Sequence, residues 1–188
     1  NDEDFFVIQG HFVKEEETVE VYCGQKRNQK KSFRKNKKEY SRLSDHIGLF
    51  PLVMISPQDS ELITGGSEVR RKFIDSIISQ YDKTYLEKLI NYNKILIQRN
   101  TLLKRFADGM MFNPELLYAW DVQLVADGQF IFETRRKFIN EFVRLFSKYY
   151  ALIATNHEEV GVEYKSDLLT ESFETVLKNS LTRDRHSQ

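Results

Sequence analysis

The chain has 188 residues, a length typical of one domain or of one domain with an appendage. Hydrophobic residues make up 40% and charged residues 30%, with 14 Phe and 9 Tyr against 3 Pro and 8 Gly. This composition excludes a disordered chain and favours regular elements with short connections. The formal net charge is zero, so any attraction to nucleic acid or membrane must come from local clusters of charge.

The sequence excludes several further classes of protein. Cys23 is the single cysteine, which excludes an intrachain disulfide and a thiolate zinc cluster and favours a reducing, cytoplasmic setting. No apolar run approaches the roughly 20 residues that a membrane span requires. The first residues are acidic, unlike a signal peptide, and the chain does not begin with Met. We therefore expect a cytoplasmic piece excised from a longer protein.

The first third of the chain has the pattern of β-strands. Residues 6–13 form a largely apolar run whose side chains would alternate between the two faces of a strand. Residues 19–23 form a second run after a short acidic turn. These two runs predict a β-hairpin. A third, more polar strand is predicted around Lys31–Lys35. The apolar residues Leu52–Ile55 predict a short buried strand, which the Ser-Pro pair that follows would end because Pro cannot donate to a ladder.

Helical spacing of apolar residues begins after Gly65. Ser67 is predicted to cap a helix whose apolar face includes Ile78. A second helix is predicted for about Lys83–Phe106. Asp108-Gly109 is the signal that ends it, because Gly readily takes up the left-handed conformation after a helix.

The remaining elements follow a strong helix-start signal. Asn113 followed by Pro114 predicts the start of a third helix, whose apolar pattern continues past Gly128 as one long helix or two. Residues 161–164 predict a returning strand, and a last helix is predicted for roughly Leu168–Leu181.

Together these elements predict an α+β fold, with a small antiparallel β-sheet and an inserted antiparallel helical arm. The predicted domains are a β-rich part at residues 1–65, the arm at 66–158, and a return strand and helix at 159–188. Insertion is favoured because strands are predicted on both sides of the helical block. No internal repeat is visible.

A basic segment is the first candidate site. Eight Lys or Arg residues fall within thirteen positions, with no acidic residue among them. One interpretation is a hairpin that contacts phosphates, with Phe33 and Tyr40 available for packing or stacking. The other is a solvated edge strand whose lysines discourage aggregation. The candidate DNA-binding residues are Lys26, Arg27, Lys30, Lys31, Arg34, Lys35, Lys37 and Lys38.

Residues that would support catalysis are missing from the sequence. It contains no Gly-x-x-x-x-Gly-Lys-Ser/Thr phosphate-binding loop and no apolar strand that ends in Asp-Glu. It therefore lacks a lysine for nucleotide phosphates and a Mg²⁺ site. The four histidines are scattered, so no metal site is predicted. Gly65-Gly66-Ser67 could present backbone N–H groups to an anion, but a turn and helix cap is the favoured interpretation.

Several motifs resemble the RecF family when they are taken in order along the chain. The match begins with Phe-Pro-x-Val-x-x-Ser-Pro-Gln-Asp, continues with Gly-Gly-Ser and Arg-Arg-x-Phe-x-Asp, and covers most of the chain. Collinear matches of this kind are more specific than any single motif. The residues that carry the resemblance are Phe50–Asp59, Gly65–Asp75, Tyr85, Tyr92–Asn100, Trp120-Asp121, Leu124, Gly128 and Arg183–Arg185.

The resemblance implies part of an ATPase lobe of the ABC type, similar to SMC proteins. Family members bind ATP with Mg²⁺, form ATP-dependent homodimers, and act with RecR and RecO to place RecA on gapped DNA. The family's phosphate-binding loop would precede Asn1, and its signature and Walker B motifs would follow Gln188. The chain is thus expected to be the middle half of such a protein, with no cofactor and no ATPase activity of its own.

The resemblance also gives a role to Gln58, which is similar in place to the Q-loop glutamine that couples Mg²⁺–ATP to an inserted domain. Many RecF sequences have Glu here. It assigns Gly65-Gly66-Ser67 to the junction with the arm. The alternative function is a stand-alone helical module that binds another protein and does not involve ATP.

Overall fold

The computed structural model describes residues 4–154 and 160–186, the last two by their backbone alone. The chain forms two compact units, one ending at Met54 and the other beginning at Ile55. Each unit is described separately below.

The first unit is an antiparallel sheet of four strands in the order β1-β2-β3-β4. The predicted hairpin and third strand are confirmed, and a short fourth strand follows them. Glu15 and Glu16 form the turn between the first two strands, with φ angles of 52° and 70° that match the twist of a tight hairpin. The strands are β1 Phe5–Lys14, β2 Glu17–Lys26, β3 Ser32–Lys35 and β4 Lys38–Glu39.

A second tight turn joins β3 to β4. Asn36 and Lys37 have φ angles of 48° and 67°, a conformation that Asn tolerates well. The side-chain oxygen of Asn36 accepts a hydrogen bond from the backbone N–H of Glu20 at 2.9 Å, and the Asn36 N–H donates to the Glu20 carbonyl at 2.9 Å. The side chain of Asn36 therefore ties this turn to β2 in one register.

One face of the sheet carries a small aromatic core. The Phe12 ring stacks on Phe50 with centroids 4.3 Å apart, and His46 meets the Phe33 ring edge-on at 4.6 Å. The Tyr40 hydroxyl and His46 Nδ1 lie 3.0 Å apart, within hydrogen-bonding distance. Burial and the nearby Lys35 lower the pKa of His46, so its neutral form is favoured. The core also includes the buried residues Val19 and Val21.

The predicted buried strand Leu52–Ile55 is wrong. These residues are irregular, and none of them pairs with a described strand. Val53 is 90% exposed and Ile55 is 88% exposed. The prediction required neighbouring strands and a covering layer, which the described sheet does not provide for this segment.

The second unit is helical. Gly66 caps α2, so the cap lies one residue before the predicted Ser67. Asp82 caps α3 by accepting from the Tyr85 N–H, and Asn113 caps α4 by accepting from the Glu115 N–H, both at 2.9 Å. The helices are α1 Glu61–Thr64, α2 Ser67–Tyr81, α3 Lys83–Ala107, α4 Pro114–Ile153 and α5 Phe173–His186, with short 3-10 turns at Leu43–His46, Pro57–Ser60 and Asp167–Leu169.

The α3–α4 pair is the main packing interaction of this unit. α4 is one uninterrupted helix of 40 residues, about 60 Å long at 1.5 Å per residue. Two buried clusters lie along the pair. One is built on Ile78, Tyr85 and Ile131, and the other on Leu103, Phe106 and Leu117. α5 packs against α3 and α4.

The predicted return strand at 161–164 is also wrong, because these residues are irregular. Tyr164 instead stacks on Phe132 of α4, with ring centroids 5.9 Å apart. The last helix begins at Phe173, later than predicted. The three-part division at residues 65 and 158 stays a prediction, and residues 155–159 lie outside the described residues. In the described chain, no helix has the length and apolarity that crossing a membrane requires.

Candidate functional site

The basic segment is divided by the sheet into two clusters. The first, here the β2–β3 cluster, consists of Lys26, Arg27, Lys30 and Lys31 around the turn between these strands. The second, the β3–β4 cluster, consists of Lys35, Lys37 and Lys38 at the opposite end of β3. A strand of four residues separates them by roughly 13 Å, at 3.3 Å per residue. The eight charges therefore do not form one continuous patch.

The two clusters have different electrostatic surroundings. Glu39 pairs directly with Arg34 in the β3–β4 ladder, and Glu20 lies beside the Asn36 turn. These carboxylates reduce the positive potential around the β3–β4 cluster. The Arg27 N–H in the β2–β3 turn donates to the Asp4 carbonyl at 2.9 Å, so one described acidic residue lies beside this cluster, against two beside the β3–β4 cluster. The β2–β3 cluster, whose four side chains are exposed, is the better candidate for phosphates.

The aromatic residues near this segment have structural contacts. The Arg34 guanidinium lies over the Tyr22 ring, 5.2 Å from its centroid. Phe33 and Tyr40 both contact His46, within the core of the sheet unit. Of the two roles predicted for Phe33 and Tyr40, the structure shows packing. The candidate interface is therefore one of charge and not of stacked bases.

Gln58 lies on an exposed 3-10 turn at the start of the helical unit. Ser56 and Asp59 form a capping box around this turn, in which the Ser56 N–H donates to Asp59 Oδ2 at 2.6 Å. The turn thus holds the backbone of Gln58 in place while its side chain is exposed. In the part of the chain that is described, no three His, Cys, Asp or Glu side chains are grouped to hold a metal ion.

The Gly65-Gly66-Ser67 segment joins α1 to α2. The Arg70 guanidinium donates to the carbonyl oxygens of Leu62 and Gly65, at 3.0 and 2.8 Å. Arg71 donates to the Ser67 hydroxyl at 2.9 Å. Both arginines therefore stabilise the junction, which supports the interpretation of this segment as a turn and helix cap.

A buried charged group within the helical unit was missed by sequence reasoning. Arg135 of α4 donates from Nε and Nη2 to the two carboxylate oxygens of Asp75 in α2, at 2.8 and 2.7 Å. The Tyr85 hydroxyl of α3 donates to Asp75 Oδ1 at 2.6 Å. We call these three residues the Asp75 cluster. The cluster joins α2, α3 and α4. Of its three residues, only Asp75 lies within the Arg-Arg-x-Phe-x-Asp motif that resembles the RecF family.

Within the Asp75 cluster, the pKa values of Arg135 and Tyr85 are both raised. Burial opposes the charged form of Arg135, but the hydrogen bonds that it donates to Asp75 and Tyr85 raise its pKa above the usual value for arginine. Burial and the hydrogen bond to Asp75 raise the pKa of Tyr85 well above the usual value of 10. Burial also raises the pKa of Tyr164, which approaches the same guanidinium. Arg135 therefore stays charged and Tyr85 stays neutral at physiological pH.

Three further ion pairs connect the described helices. Arg99 of α3 is 3% exposed and donates to Asp121 of α4 at 2.7 Å and to Asp184 of α5 at 2.9 Å. Lys88 of α3 donates to the buried Asp127 of α4 at 2.7 Å. Arg99 and Asp121 both belong to motifs that resemble the RecF family. These motif residues thus position the helices in the observed structure.

Known proteins show the same combination of sheet and helical arm. The chain is 51% identical to the DNA replication and repair protein RecF of Bacteroides thetaiotaomicron over 186 residues, which cover 98% of this chain and 50% of that protein. It is 44% identical to the protein of that name from Flavobacterium johnsoniae over 183 residues, which cover 97% of this chain and 51% of the relative. No protein-family model matches the chain.

Solved structures agree with these relatives. The chain superimposes on the recombination mediator protein RecF-ATP of the RecFOR pathway with a TM-score of 0.84 and 29% identity, covering 99% of this chain and 52% of that one. For RecF-ATPrS of the same pathway, the TM-score is 0.82 and the identity 28%, with coverage of 100% and 53%.

These findings define the class of protein: the fold is that of an ABC-type ATPase lobe with a helical arm. The chain belongs to the RecF family. It spans about half the length of the curated relatives that it matches.

Proposed function

We propose that the chain serves, within a full-length RecF protein, in recombinational repair of DNA in the cytoplasm. The full-length protein binds ATP with Mg²⁺, forms an ATP-dependent homodimer, and acts with RecO and RecR to load RecA at gapped DNA. The residues described here contribute conformational coupling, docking and DNA contact. ATP hydrolysis is assigned to parts of the protein outside these residues, because the sequence contains no phosphate-binding loop.

One observation carries this proposal. Relatives named DNA replication and repair protein RecF match 98% of the chain at 50 to 51% identity. Identity at this level extends over both the sheet unit and the helical unit. It therefore favours a role in the RecF protein over the alternative, a stand-alone helical module without ATP.

For DNA contact, we propose that the β2–β3 cluster binds phosphates. Each phosphate contact releases counterions, so it contributes about 0.9 to the slope of log affinity against log salt on duplex DNA. We expect the full-length variant Arg27→Ala/Lys30→Ala/Lys31→Ala to bind gapped DNA about tenfold or more weakly, with a slope shallower by roughly 2 to 3. Fluorescence anisotropy over a salt series measures both quantities.

A matched control removes the same charge from another part of the protein. Lys83, Lys94 and Lys104 are exposed on α3, so their triple Ala variant tests for a non-specific effect of net charge. We expect a smaller loss for the β3–β4 cluster, because Glu20 and Glu39 lie beside it. An unchanged salt slope in the β2–β3 variant would show that this cluster is only a solvated edge.

A further inference from the structure

Apolar residues recur at every seventh position along the whole of α4. A repeat of seven residues keeps one seam of a helix facing a partner helix over many turns. Six residues of α4 lie at this spacing. These seam residues are Leu117, Leu124, Ile131, Phe138, Leu145 and Leu152.

The first half of the seam is covered by the chain itself. Leu117, Leu124 and Ile131 are only 2%, 1% and 3% exposed. Ile131 packs in the cluster of Ile78 and Tyr85, from α2 and α3. In this part of α4, the seam residues are therefore buried against partner helices.

The second half of the seam extends past those partners. The turn between α2 and α3 lies near residues 135–141 of α4, since Arg135 bonds Asp75 and Tyr85, and Tyr81 at the end of α2 lies close to Glu141. Beyond it, Leu145 is 55% exposed and Leu152 is 74% exposed. The same face also carries Tyr149, which is exposed as well. Within the described residues, the pattern of an interface therefore continues where its partner helices have ended.

The exposed seam residues Leu145, Tyr149 and Leu152 have an apolar border on one side and a charged border on the other. On one side, the rings of Phe138, Phe142, Phe146 and Tyr150 follow one another at centroid distances of 5.9, 5.8 and 5.8 Å. This ladder stiffens an apolar wall, because neighbouring rings restrict each other. Glu141, Arg144 and Lys148 lie on the other side at helical spacing. The surface therefore suits the apolar face of an amphipathic helix.

We infer that the distal seam, comprising Leu145, Tyr149 and Leu152, binds a helix from the half of the full-length family protein that lies outside these residues. The relatives are twice as long as the matched segment, so a partner is available in the same polypeptide. The seam is also continuous with the observed α4 interface.

Photo-cross-linking in the full-length protein tests this inference. p-Benzoylphenylalanine replaces Leu145 in one variant and Leu152 in another, and Ser147, exposed on the opposite face of α4, is the control position. After irradiation, mass spectrometry locates the attached peptide. Mixing copies of normal and heavy isotope content distinguishes cross-links within one polypeptide from those between two.

We expect both seam positions to cross-link to one helix of the same polypeptide outside the 188 residues, at yields several-fold above Ser147. Cross-links between copies of different isotope content would overturn the inference and indicate a homodimer contact. Yields no higher than at Ser147, or attachment only within the 188 residues, would also overturn it. Each seam residue is replaced singly, and thermal melting confirms that each variant is folded. DNA affinity is not a readout, so the result is independent of the proposed DNA contact.

Discussion

Asp75 holds three helices together through a single carboxylate. Each of its oxygens accepts from Arg135, and Oδ1 also accepts from the Tyr85 hydroxyl. The side chains of Asp75 and Arg135 are only 14% and 17% exposed, so water contributes little to their solvation. Removal of one partner from such a pair leaves an uncompensated buried charge, which costs far more than the pair itself contributes.

We therefore expect Asp75→Ala to lower the free energy of unfolding by about 3 to 5 kcal/mol. Tyr85→Phe removes the hydroxyl that donates to Asp75 and accepts from Arg135 Nε. It leaves the ion pair, so a loss of about 1 to 2 kcal/mol is expected. Urea titration followed by helical circular dichroism measures both values.

Glu68→Ala in the same helix is the control for Asp75→Ala. The side chains of the Glu68–Lys72 pair are 70% and 75% exposed, so solvent screens the pair and its loss is expected to cost far less than the loss of Asp75. If Asp75→Ala were no more damaging than this control, the Asp75 cluster would have no stabilising role.

Sequence could single out two members of this cluster but not their contact. Asp75 and Tyr85 both belong to the residues that resemble the RecF family, but Arg135 is 60 positions away from Asp75 along the chain. Helical spacing places residues on a face and does not pair one helix with another. Arg99 with Asp121 and Asp184, and Lys88 with Asp127, were missed for the same physical reason.

At the scale of elements, local signals predicted the helices well and the isolated strands poorly. Asp82 and Asn113 satisfy backbone N–H groups within three residues, so the helix starts depend on local sequence. The hairpin turn likewise lies between adjacent strands. The strands predicted at 52–55 and 161–164 required partner strands from distant parts of a chain. An apolar segment alone does not show whether such a partner strand is present.

Gly128 has a packing role that its sequence position did not reveal. The sequence left one long helix or two open at this glycine, and α4 passes through it without interruption. A Cβ at this position would lie 2.5 Å from Phe173 Cε1 of α5 and 3.0 Å from Tyr92 Cε2 of α3. Gly128 is therefore required for the close approach of three helices.

We expect Gly128→Ala to destabilise the protein by about 1 to 3 kcal/mol, because the overpacking exceeds the gain in helix propensity. In the double variant Gly128→Ala/Phe173→Leu, the smaller side chain makes room for the methyl group. The double variant should then cost less than the sum of the two single changes, as chemical denaturation would measure. Strict additivity would show that Phe173 does not impose the need for glycine.

At the scale of the whole molecule, charge was the property least predictable from sequence order. The eight basic residues are close in sequence but are separated in the structure. Most of them lie in two turns, and these turns are at opposite ends of β3. Glu20 precedes this run in sequence, and Glu39 directly follows it. The pairing of the strands and the Asn36 turn bring both carboxylates beside the β3–β4 cluster. The fold class was predictable from periodicity, but the electrostatic surface required the register of the sheet.

Gln58 offers a test of coupling in the full-length protein. It lies in chain order where the helical unit begins, on a turn that Ser56 and Asp59 hold in place. If its exposed amide transmits nucleotide state to the helical unit, ATP should change DNA affinity by an amount typical of coupled sites, about 5- to 150-fold. We expect Gln58→Ala to retain ATP affinity within about threefold and to reduce this effect of ATP to about twofold or less.

The conservative variant Gln58→Glu should keep most of the ATP effect, since the family resemblance includes Glu at this position. Gln98→Ala, which alters an exposed glutamine on α3, is the matched control and should behave as the unaltered protein. Anisotropy titrations of gapped DNA with and without ATP, alongside direct titration of ATP, separate coupling from nucleotide binding. Because coupling between two binding sites is reciprocal, DNA should also lose its effect on ATP affinity in Gln58→Ala. An ATP effect of full size in Gln58→Ala would remove the role proposed for this residue while leaving the phosphate contacts of the β2–β3 cluster untouched.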